Sequence, residues 1–305
     1  MREVNSYFAI LTIIILSAFS GAAIFANAAD FSAYNSSPLS AGCSIIGIYT
    51  PDLEGRDFFE TTFRFQSKEV DVSNKDIVAG IIPHHLLAAD MIAEFFKNLE
   101  DKDYDTIVLI GPNHSNLGEN KTITSSYDWQ TPYGVLECDD NLYASISSSM
   151  GIGAEESFIS EEHSITSELA FIKRTFPDAK ILPIILKSTV NAQEAAGLAR
   201  GIYETSKEQH EKVLVLASAD FSHYKNSAQA QADDIESIAA INNSDFESVY
   251  DLAVDSPSSI FAVMEFGRLS GAEFLLLNNS NSALLSGKLG LESTTSYVTG
   301  YFASR

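Results

Sequence analysis

The sequence predicts an α/β domain with a largely parallel or mixed central sheet flanked by helices. The first observation behind this prediction is an alternation of short apolar runs of strand length with longer segments of helical periodicity. The second is continuity, because no Pro-, Gly- or Ser-rich stretch after Ser44 is long enough to separate two domains. The third is that 45% of the 305 residues are hydrophobic, which is enough for one large core. We therefore predict a single domain over residues 44–305.

The predicted strands are apolar runs, and the predicted helices have apolar residues at helical spacing. The strands are Ile77–Ile82, Thr106–Ile110, Lys180–Leu186, Val213–Ser218, Glu273–Leu277 and Ser293–Phe302. The helices are Leu86–Leu99, 139–149, the segment from His163 to Pro177, Ala192–Gln209, 226–241, 245–253 and 258–270. Between them, 113–120 is predicted as a loop and 128–134 as a turn-rich stretch.

The first 28 residues are predicted to be a signal peptide or an N-terminal membrane anchor. Tyr7–Phe25 is almost wholly apolar, and Ala26-Asn27-Ala28 fits the small-residue pattern of a cleavage site. The apolar run is also close to the roughly 20 residues that span a bilayer, so both interpretations remain open. Residues 29–43 are small and polar and are predicted to be a flexible tether. Either interpretation predicts that residues 44–305 are extracytoplasmic, secreted or anchored by this segment.

The acidic composition excludes two classes of partner. With 19 Lys and Arg against 41 Asp and Glu, the formal net charge is −22. Nucleic acids and anionic membrane surfaces both favour clustered positive charge. We therefore expect no nucleic-acid partner, and membrane contact only through the N-terminal segment.

Five of the six histidines lie in short motifs that point to one site. Three motifs directly follow predicted strands: Pro83-His84-His85, Gly111-Pro112-Asn113-His114 and Ser218-Ala-Asp-Phe-Ser-His-Tyr224. His163 directly precedes a helical pattern. In open α/β sheets, active sites gather outside the carboxyl ends of the strands. Because imidazole is the commonest transition-metal ligand and titrates near neutral pH, the motifs predict one functional site assembled from distant parts of the chain.

The residue pattern disfavours a serine hydrolase and favours a metal site. Adjacent Ser222 and His223 would point to opposite faces of a continued strand, and no G-x-S-x-G elbow precedes a serine. The chain also has no Gly-rich phosphate loop, H-E-x-x-H helix or paired C-x-x-C. What remains is a site of histidine and oxygen ligands, and two histidines plus a carboxylate suit non-haem iron. Asp220 is a candidate carboxylate that would orient an imidazole at such a site.

The motifs, taken together, resemble a known family. Pro-His at 83–84, Gly-Pro-Asn-His at 111–114, Glu-His-Ser at 162–164 and Ser-x-Asp-x-Ser-His-Tyr at 218–224 occur in the same order in the Memo-like family. The final segment, 293–301, also resembles the closing strand of that family. The family includes AmmeMemoRadiSam system protein B and is similar to the class III extradiol dioxygenases. The resemblance therefore implies a LigB-like α/β sandwich with a non-haem iron pocket.

The resemblance implies roles for individual residues. His84 and His114 correspond to the two metal-binding histidines of the family. His223 corresponds to the histidine that LigB-like dioxygenases use as an acid and base, a role that imidazole suits. Ser222 falls where some Memo proteins have a cysteine that lines the metal pocket, which makes it a candidate third ligand.

The Glu-His-Ser segment and its sequel supply the remaining candidates. Glu162 and His163 match this segment, and we expect His163 to be a second acid/base group. Glu168 matches the acid of the motif that follows in the family, in which Ala170 replaces a proline. Glu162, Glu168 and Asp220 are therefore candidates for a third ligand or for groups that support the ligands.

Two functions of different classes follow from such a site. The first is an exported, metal-dependent oxidoreductase of the dioxygenase type, with one divalent metal ion, iron or alternatively copper, held by His84 and His114. The second is a non-catalytic module that uses the same pocket to bind a metal or a small-molecule or peptide ligand. The family resemblance also implies a functional association with AMMECR-type and radical-SAM proteins.

Overall fold

The computed structural model describes residues 47–50, 53–64, 70 and 72–304, and these residues belong to one compact unit. The predicted signal or anchor (1–28) and the predicted tether (29–43) lie outside the described residues. Within the part of the chain that the structure describes, no helix is both long enough and apolar enough to cross a lipid bilayer.

The order of elements follows the predicted alternation of strands and helices. The described strands are β1 (Ile48–Tyr49), β2 (Asp76–Ile82), β3 (Thr106–Pro112), β4 (Thr122–Thr124), β5 (Asp128–Thr131), β6 (Gly134–Leu136), β7 (Gly153–Ala154), β8 (Lys180–Leu186), β9 (Val213–Ser218), β10 (His223–Lys225), β11 (Glu273–Asn281) and β12 (Thr294–Ser304). The described helices are α1 (Arg56–Phe63), α2 (Ala89–Lys97), α3 (Asp140–Met150), α4 (Glu156–Ile159), α5 (His163–Thr166), α6 (Leu169–Thr175), α7 (Ala192–Gln209), α8 (Ser227–Asn242), α9 (Pro257–Leu269) and α10 (Ser282–Leu285). Two 3-10 turns are formed by Leu86–Ala88 and Val249–Asp251.

The central sheet is mixed and has a parallel middle. Strands β2, β9, β3 and β8 lie side by side in that order and run parallel. The antiparallel strands β12 and β4 flank them, β10 and β11 pair with β12, and β7 pairs with β4. A separate three-stranded sheet contains β1, β5 and β6. The predicted α/β fold, with a mixed sheet flanked by helices, is confirmed.

Helices cover both faces of the sheet, as the side chains along β3 demonstrate. Ile107 and Leu109 belong to a core cluster that includes residues of α2 and α6. Val108 and Ile110 point to the opposite face and belong to a second cluster, with residues of α7 and α9. Because both faces are buried, the strand is a continuous apolar run in the sequence.

Several predicted elements differ in extent from the observed ones. The segment predicted as one helix from Leu86 begins with a 3-10 turn before α2, and the helix predicted after His163 is divided into α5 and α6. The turn-rich stretch 128–134 contributes to the hairpin of β5 and β6. The strand predicted to end at Leu277 continues to Asn281.

The prediction of a helix at 245–253 is wrong, and the segment that forms there instead places a residue at the site. Only a 3-10 turn forms there. The Asp245 carboxylate accepts hydrogen bonds from the N–H and the hydroxyl of Ser248, as a helix N-cap residue does, but only the turn Val249–Asp251 follows it. Val254 then pairs with Phe221 in an isolated β-bridge. This extended segment brings Asp255 alongside the chain that leaves β9.

The carboxyl ends of the parallel strands bring the predicted motifs to one edge of the sheet. Strand β2 ends just before Pro83-His84, and β3 ends just before Asn113-His114. Strand β9, which lies between them, ends just before Ala219-Asp220. This is the edge at which open α/β sheets place their active sites.

Candidate metal centre

Three imidazole rings converge at this edge. One ligand atom from each of His84, His114 and His163 lies within 4.8 Å of the others, so the cluster could hold a single metal ion. The rings of His114 and His163 stack, with centroids 4.1 Å apart. The His84 ring stands nearly perpendicular to both, at centroid distances of 5.1 and 5.0 Å. His84 is buried whereas the other two are exposed, so the cluster opens to solvent on one side.

Polar side chains lie beside the Nδ1 atoms of the three rings. His84 Nδ1 lies 3.2 Å from the Ser218 hydroxyl. Glu162 Oε1 lies 2.7 Å from His114 Nδ1 and 3.3 Å from His163 Nδ1. Metal-binding histidines commonly have their second ring nitrogen held in this way, which fixes the tautomer and the orientation of the ring. The Nε2 atoms of His84 and His114 are thereby left for a metal.

Glu162 is itself held at the start of α5. It caps this helix, and its carboxylate accepts hydrogen bonds from the backbone N–H groups of Ser164 (3.2 Å) and His114 (2.9 Å). Helix α5 approaches β3 this closely because residue 111 is glycine. A Cβ atom on Gly111 would lie 2.5 Å from the Ser164 hydroxyl oxygen. Glu162 therefore orients two of the three histidines from a fixed position.

A carboxylate that the sequence analysis did not single out completes the cluster. Asp255 Oδ2 lies 3.2 Å from His84 Nε2 and 3.8 Å from His114 Nε2. The N–H of Asp220 donates to the same oxygen (3.2 Å), and the N–H of Asp255 donates to the Asp220 carbonyl (3.0 Å). The other oxygen of Asp255, Oδ1, is buried and has no hydrogen-bond partner among the described residues. Asp255 thus lies beside the Nε2 atoms of two of the three histidines.

A sequence signal for Asp255 existed. Ser256 caps α9 and Pro257 is its first residue, which is a common helix start. Asp255 directly precedes this cap, at the amino end of a helix that packs on β2 and β9. In the sequence, Asp255 lies in the gap between the helices predicted at 245–253 and 258–270, the first of which does not form.

Contacts within the cluster determine its charges in the metal-free protein. Burial lowers the pKa of His114, but hydrogen bonds with Asp255 and Glu162 outweigh it and raise the pKa to about 9. At His84, burial is likewise outweighed by Asp255 and Asp220, so this pKa is also raised. Burial and the positive charges of His114 and His84 lower the pKa of His163 to about 4. Burial would raise the pKa of Asp255, but hydrogen bonds from His114 and His84 lower it to about 2.

These pKa shifts affect the charge of the cluster at neutral pH. His114 is charged, His163 is neutral and Asp255 is ionised, and the pKa of His84 is shifted toward its charged form. Because histidine must lose its added proton in order to bind a metal, metal binding would release protons from the cluster.

Asp220 lies beside His84, as expected for a residue that orients it. Its Oδ1 accepts a hydrogen bond from the His84 N–H (3.2 Å), and its Oδ2 lies 3.8 Å from His84 Nε2. Burial raises the pKa of Asp220, and the charge of His84 opposes this rise. Asp220 thus holds the backbone of His84 and places a carboxylate beside its ring.

Ser222 and His223 are not joined to the cluster. The Ser222 hydroxyl donates to Asp233 Oδ2 (2.9 Å). His223 begins β10, and its ring contacts Tyr224. In the described ranges, no hydrogen bond or ion pair links either residue to the three histidines. His163, which we expected as an acid/base group, is the third histidine of the cluster.

Glu168 is a buried carboxyl group without a partner. It is 0% exposed, and neither of its oxygens has a hydrogen-bond partner among the described residues. Burial raises its pKa well above the usual value, and the negative charge of Asp220 raises it further. Both causes favour the protonated, uncharged form of Glu168.

The fold and the cluster define a class: α/β proteins with a candidate mononuclear metal centre at the carboxyl edge of a mixed sheet. Comparison with known proteins identifies the family. The profile of the Memo-like protein family matches residues 51–301, and the chain belongs to this family. The resemblance inferred from the histidine motifs is confirmed.

Individual relatives are similar over most of the chain. A MEMO1 family protein from Desulfurococcus amylolyticus is 28% identical over 278 residues, which cover 85% of this chain and 96% of the relative. A MEMO1 family protein from Caldivirga maquilingensis is 31% identical over 220 residues, which cover 69% of this chain and 76% of the relative. The crystal structure of an uncharacterized protein from Escherichia coli K12 matches with a TM-score of 0.49 at 10% identity, covering 73% of this chain and 99% of that one.

Proposed function

We propose that this Memo family protein binds one divalent metal ion and uses it in oxidoreductase chemistry of the dioxygenase type. His84, His114 and His163 would be the nitrogen ligands, and Asp255 would supply a carboxylate oxygen. The observation that carries the proposal is the convergence of one ligand atom from each histidine within 4.8 Å. Iron is the metal that we propose first, with copper as the alternative.

The donor set fits such an ion. Imidazole and carboxylate ligands with open positions are typical of non-haem iron sites. Asp255 Oδ1 is buried without a partner among the described residues, which costs roughly 1–3 kcal/mol or more for a charged group. A cation bound beside Asp255 would offset the charge of this carboxylate, and its binding would displace any added proton on the ligand nitrogens.

The surrounding residues support such a site. A bound ion would supply Lewis-acid and redox chemistry at the cluster. Glu162 holds the rings of His114 and His163, and Ser218 holds the ring of His84. His223, which the family resemblance suggests as the acid/base group, would exchange protons with a substrate from the start of β10.

Elemental analysis tests the metal site. The protein is purified without oxygen beside a His84→Ala/His114→Ala double variant and the control variant His210→Ala, whose histidine is exposed at the end of α7. We expect stoichiometric iron or copper in the wild type and the control, and none in the double variant. No stoichiometric metal in the wild type after reconstitution would refute the proposal, as would unchanged metal content in the double variant.

The oxidoreductase activity needs a separate test. Oxygen consumption by the metal-loaded protein is measured with a series of catechol-like substrates, and the double variant serves as the blank. Consumption that depends on both substrate and metal supports the dioxygenase-type reaction.

A non-catalytic metal- or ligand-binding module is the second candidate. The observation that favours it is the position of His223, whose ring contacts Tyr224 and has no hydrogen bond to the described cluster. A protein that binds stoichiometric metal but consumes no oxygen with any of these substrates would support this candidate. Its ligand would then be a small molecule or a peptide.

We also propose an extracytoplasmic location, which rests on the apolar segment Tyr7–Phe25 alone. An association with AMMECR-type and radical-SAM proteins rests on family membership. The two proposals conflict if those proteins stay inside the cell. Cell fractionation with N-terminal sequencing of the mature chain distinguishes a cleaved signal, an uncleaved anchor and an intracellular protein.

A further inference from the structure

A second polar group, His85 with Tyr297, adjoins the metal cluster and has no role in the metal site proposed above. His85 directly follows His84 in the sequence and is exposed. Its Nδ1 lies 2.6 Å from the hydroxyl of Tyr297, and Tyr297 is 0% exposed. The ring planes meet at 64°, so the contact is made by the hydroxyl group rather than by stacking. An exposed histidine is thus held by a buried tyrosine.

This hydrogen bond links the tautomer of His85 to the direction of the Tyr297 hydroxyl, which also has a hydrogen-bond contact with Ser282. Burial raises the pKa of Tyr297, so its hydroxyl keeps its proton and can donate it. When the hydroxyl donates to Nδ1, the proton of the neutral imidazole is on Nε2. Among the described residues, no hydrogen bond or ion pair involves His85 Nε2. In this tautomer the ring offers an N–H donor whose orientation is fixed before any ligand binds.

The surroundings of His85 favour an uncharged ligand. Asp220 is close enough for the charge of His85 to affect its pKa, and Tyr297 is affected by Asp220 in turn. An anion here would meet the carboxylates of the cluster and a chain with a net charge of −22. A carbonyl or amide oxygen accepts an N–H bond without that repulsion.

Apolar side chains border the same place. Leu87, next to His85 in the 3-10 turn, is 43% exposed. Helix α10 packs against this turn, and its residue Leu284 is 49% exposed. A polar donor beside apolar surface is the usual composition of a small-molecule site.

We propose that His85, held by Tyr297, positions the substrate by donating a hydrogen bond from Nε2 to an uncharged oxygen of a ligand whose apolar part lies over Leu87 and Leu284. The ligand class is an uncharged amphiphile with a carbonyl or amide oxygen. This inference rests on the proposed function, because it assigns the second contact of a ligand that is held at the metal cluster.

NMR of the full chain with 15N-labelled histidine tests the inference in two steps. The first readout is the tautomer of His85, assigned by comparison with His85→Ala. We expect the Nε2–H tautomer in the wild type and its loss in Tyr297→Phe, in which only the hydroxyl is removed. A proton on Nδ1 in the wild type would overturn the inference.

The second readout is the binding of two probes of similar size, N-methylacetamide and acetate. We expect N-methylacetamide to shift the His85 resonances, and its affinity to fall about three- to tenfold in His85→Ala, which is the worth of one hydrogen bond. The fall in Tyr297→Phe should be smaller, and His210→Ala should match the wild type. Equal binding of acetate, or an unchanged affinity for N-methylacetamide in His85→Ala, would overturn the inference.

Metal content separates this inference from the proposed function. Each NMR sample is also examined by elemental analysis, and we expect His85→Ala and Tyr297→Phe to retain the metal. If no version of the protein binds metal, the proposed function fails, while the tautomer and the probe titration still decide the role of His85.

Discussion

Replacement of Asp255 by asparagine removes one negative charge from the cluster and keeps the size of the side chain. In the wild type, Asp255 Oδ2 lies 3.2 Å from His84 Nε2 and 3.8 Å from His114 Nε2. At an effective dielectric constant of about 20, unit charges at the shorter distance interact by about 5 kcal/mol. Residues that support a metal site are typically worth about 10- to 100-fold in affinity. Direct contact with two ligands therefore predicts a loss of about 100-fold, or about 2.8 kcal/mol.

The assay is an anaerobic competition for iron(II) between the protein and a chelator at fixed pH. Asp220→Asn should lose less affinity, about tenfold, because Asp220 Oδ2 lies 3.8 Å from His84 Nε2 alone. Asp245→Asn is the control, because Asp245 bonds to Ser248 outside the site. An affinity of Asp255→Asn within about twofold of the wild type would refute the assignment of Asp255 as a ligand.

Three further substitutions test the neighbours of the cluster. Glu162→Gln weakens the acceptor of His114 and His163, so iron affinity should fall about tenfold in the same competition; full affinity would contradict this role. Ser222→Ala should leave iron affinity unchanged, because Ser222 bonds to Asp233, and a clear loss would restore Ser222 as a ligand. Glu168 has a raised pKa in the folded protein, so its contribution to stability is complete below the unfolded value of 4.5 and is lost as the pH rises through the folded pKa. The free energy of unfolding of Glu168→Gln, measured in urea, should therefore rise relative to that of the wild type as the pH rises, by up to about 1.4 kcal/mol per pH unit. The exposed control Glu161→Gln should show no such change.

The strands of the sheet were predictable because a strand that is buried on both faces is a continuous apolar run in the sequence. The run Thr106–Ile110 is apolar without interruption after its first residue, and the observed strand β3 contains it. The segment 245–253 was not predictable in the same way. Its apolar residues and the capping contact of Asp245 with Ser248 suit a helix, but the chain forms only a short turn and then pairs with Phe221 through Val254.

The candidate site was predicted in part. His84, His114 and His163 were recognised because each lies in a short motif at the end of a strand or the start of a helix. The motifs do not state which side chains converge. His163 was expected as an acid/base group and lies at the cluster, whereas Ser222 was expected near the metal and bonds to Asp233.

The α/β class, the Memo family and the histidine motifs can be read from the sequence, because they depend on periodicity and on neighbouring residues. The contacts of Asp255 with His84 and His114, and of Glu162 with two rings, arise only when the chain folds. These contacts depend on the order of β2, β9 and β3 in the sheet and on a bridge between distant segments. The bond between His84 and Asp220 joins residues 136 positions apart, and no local pattern encodes a distance of that kind.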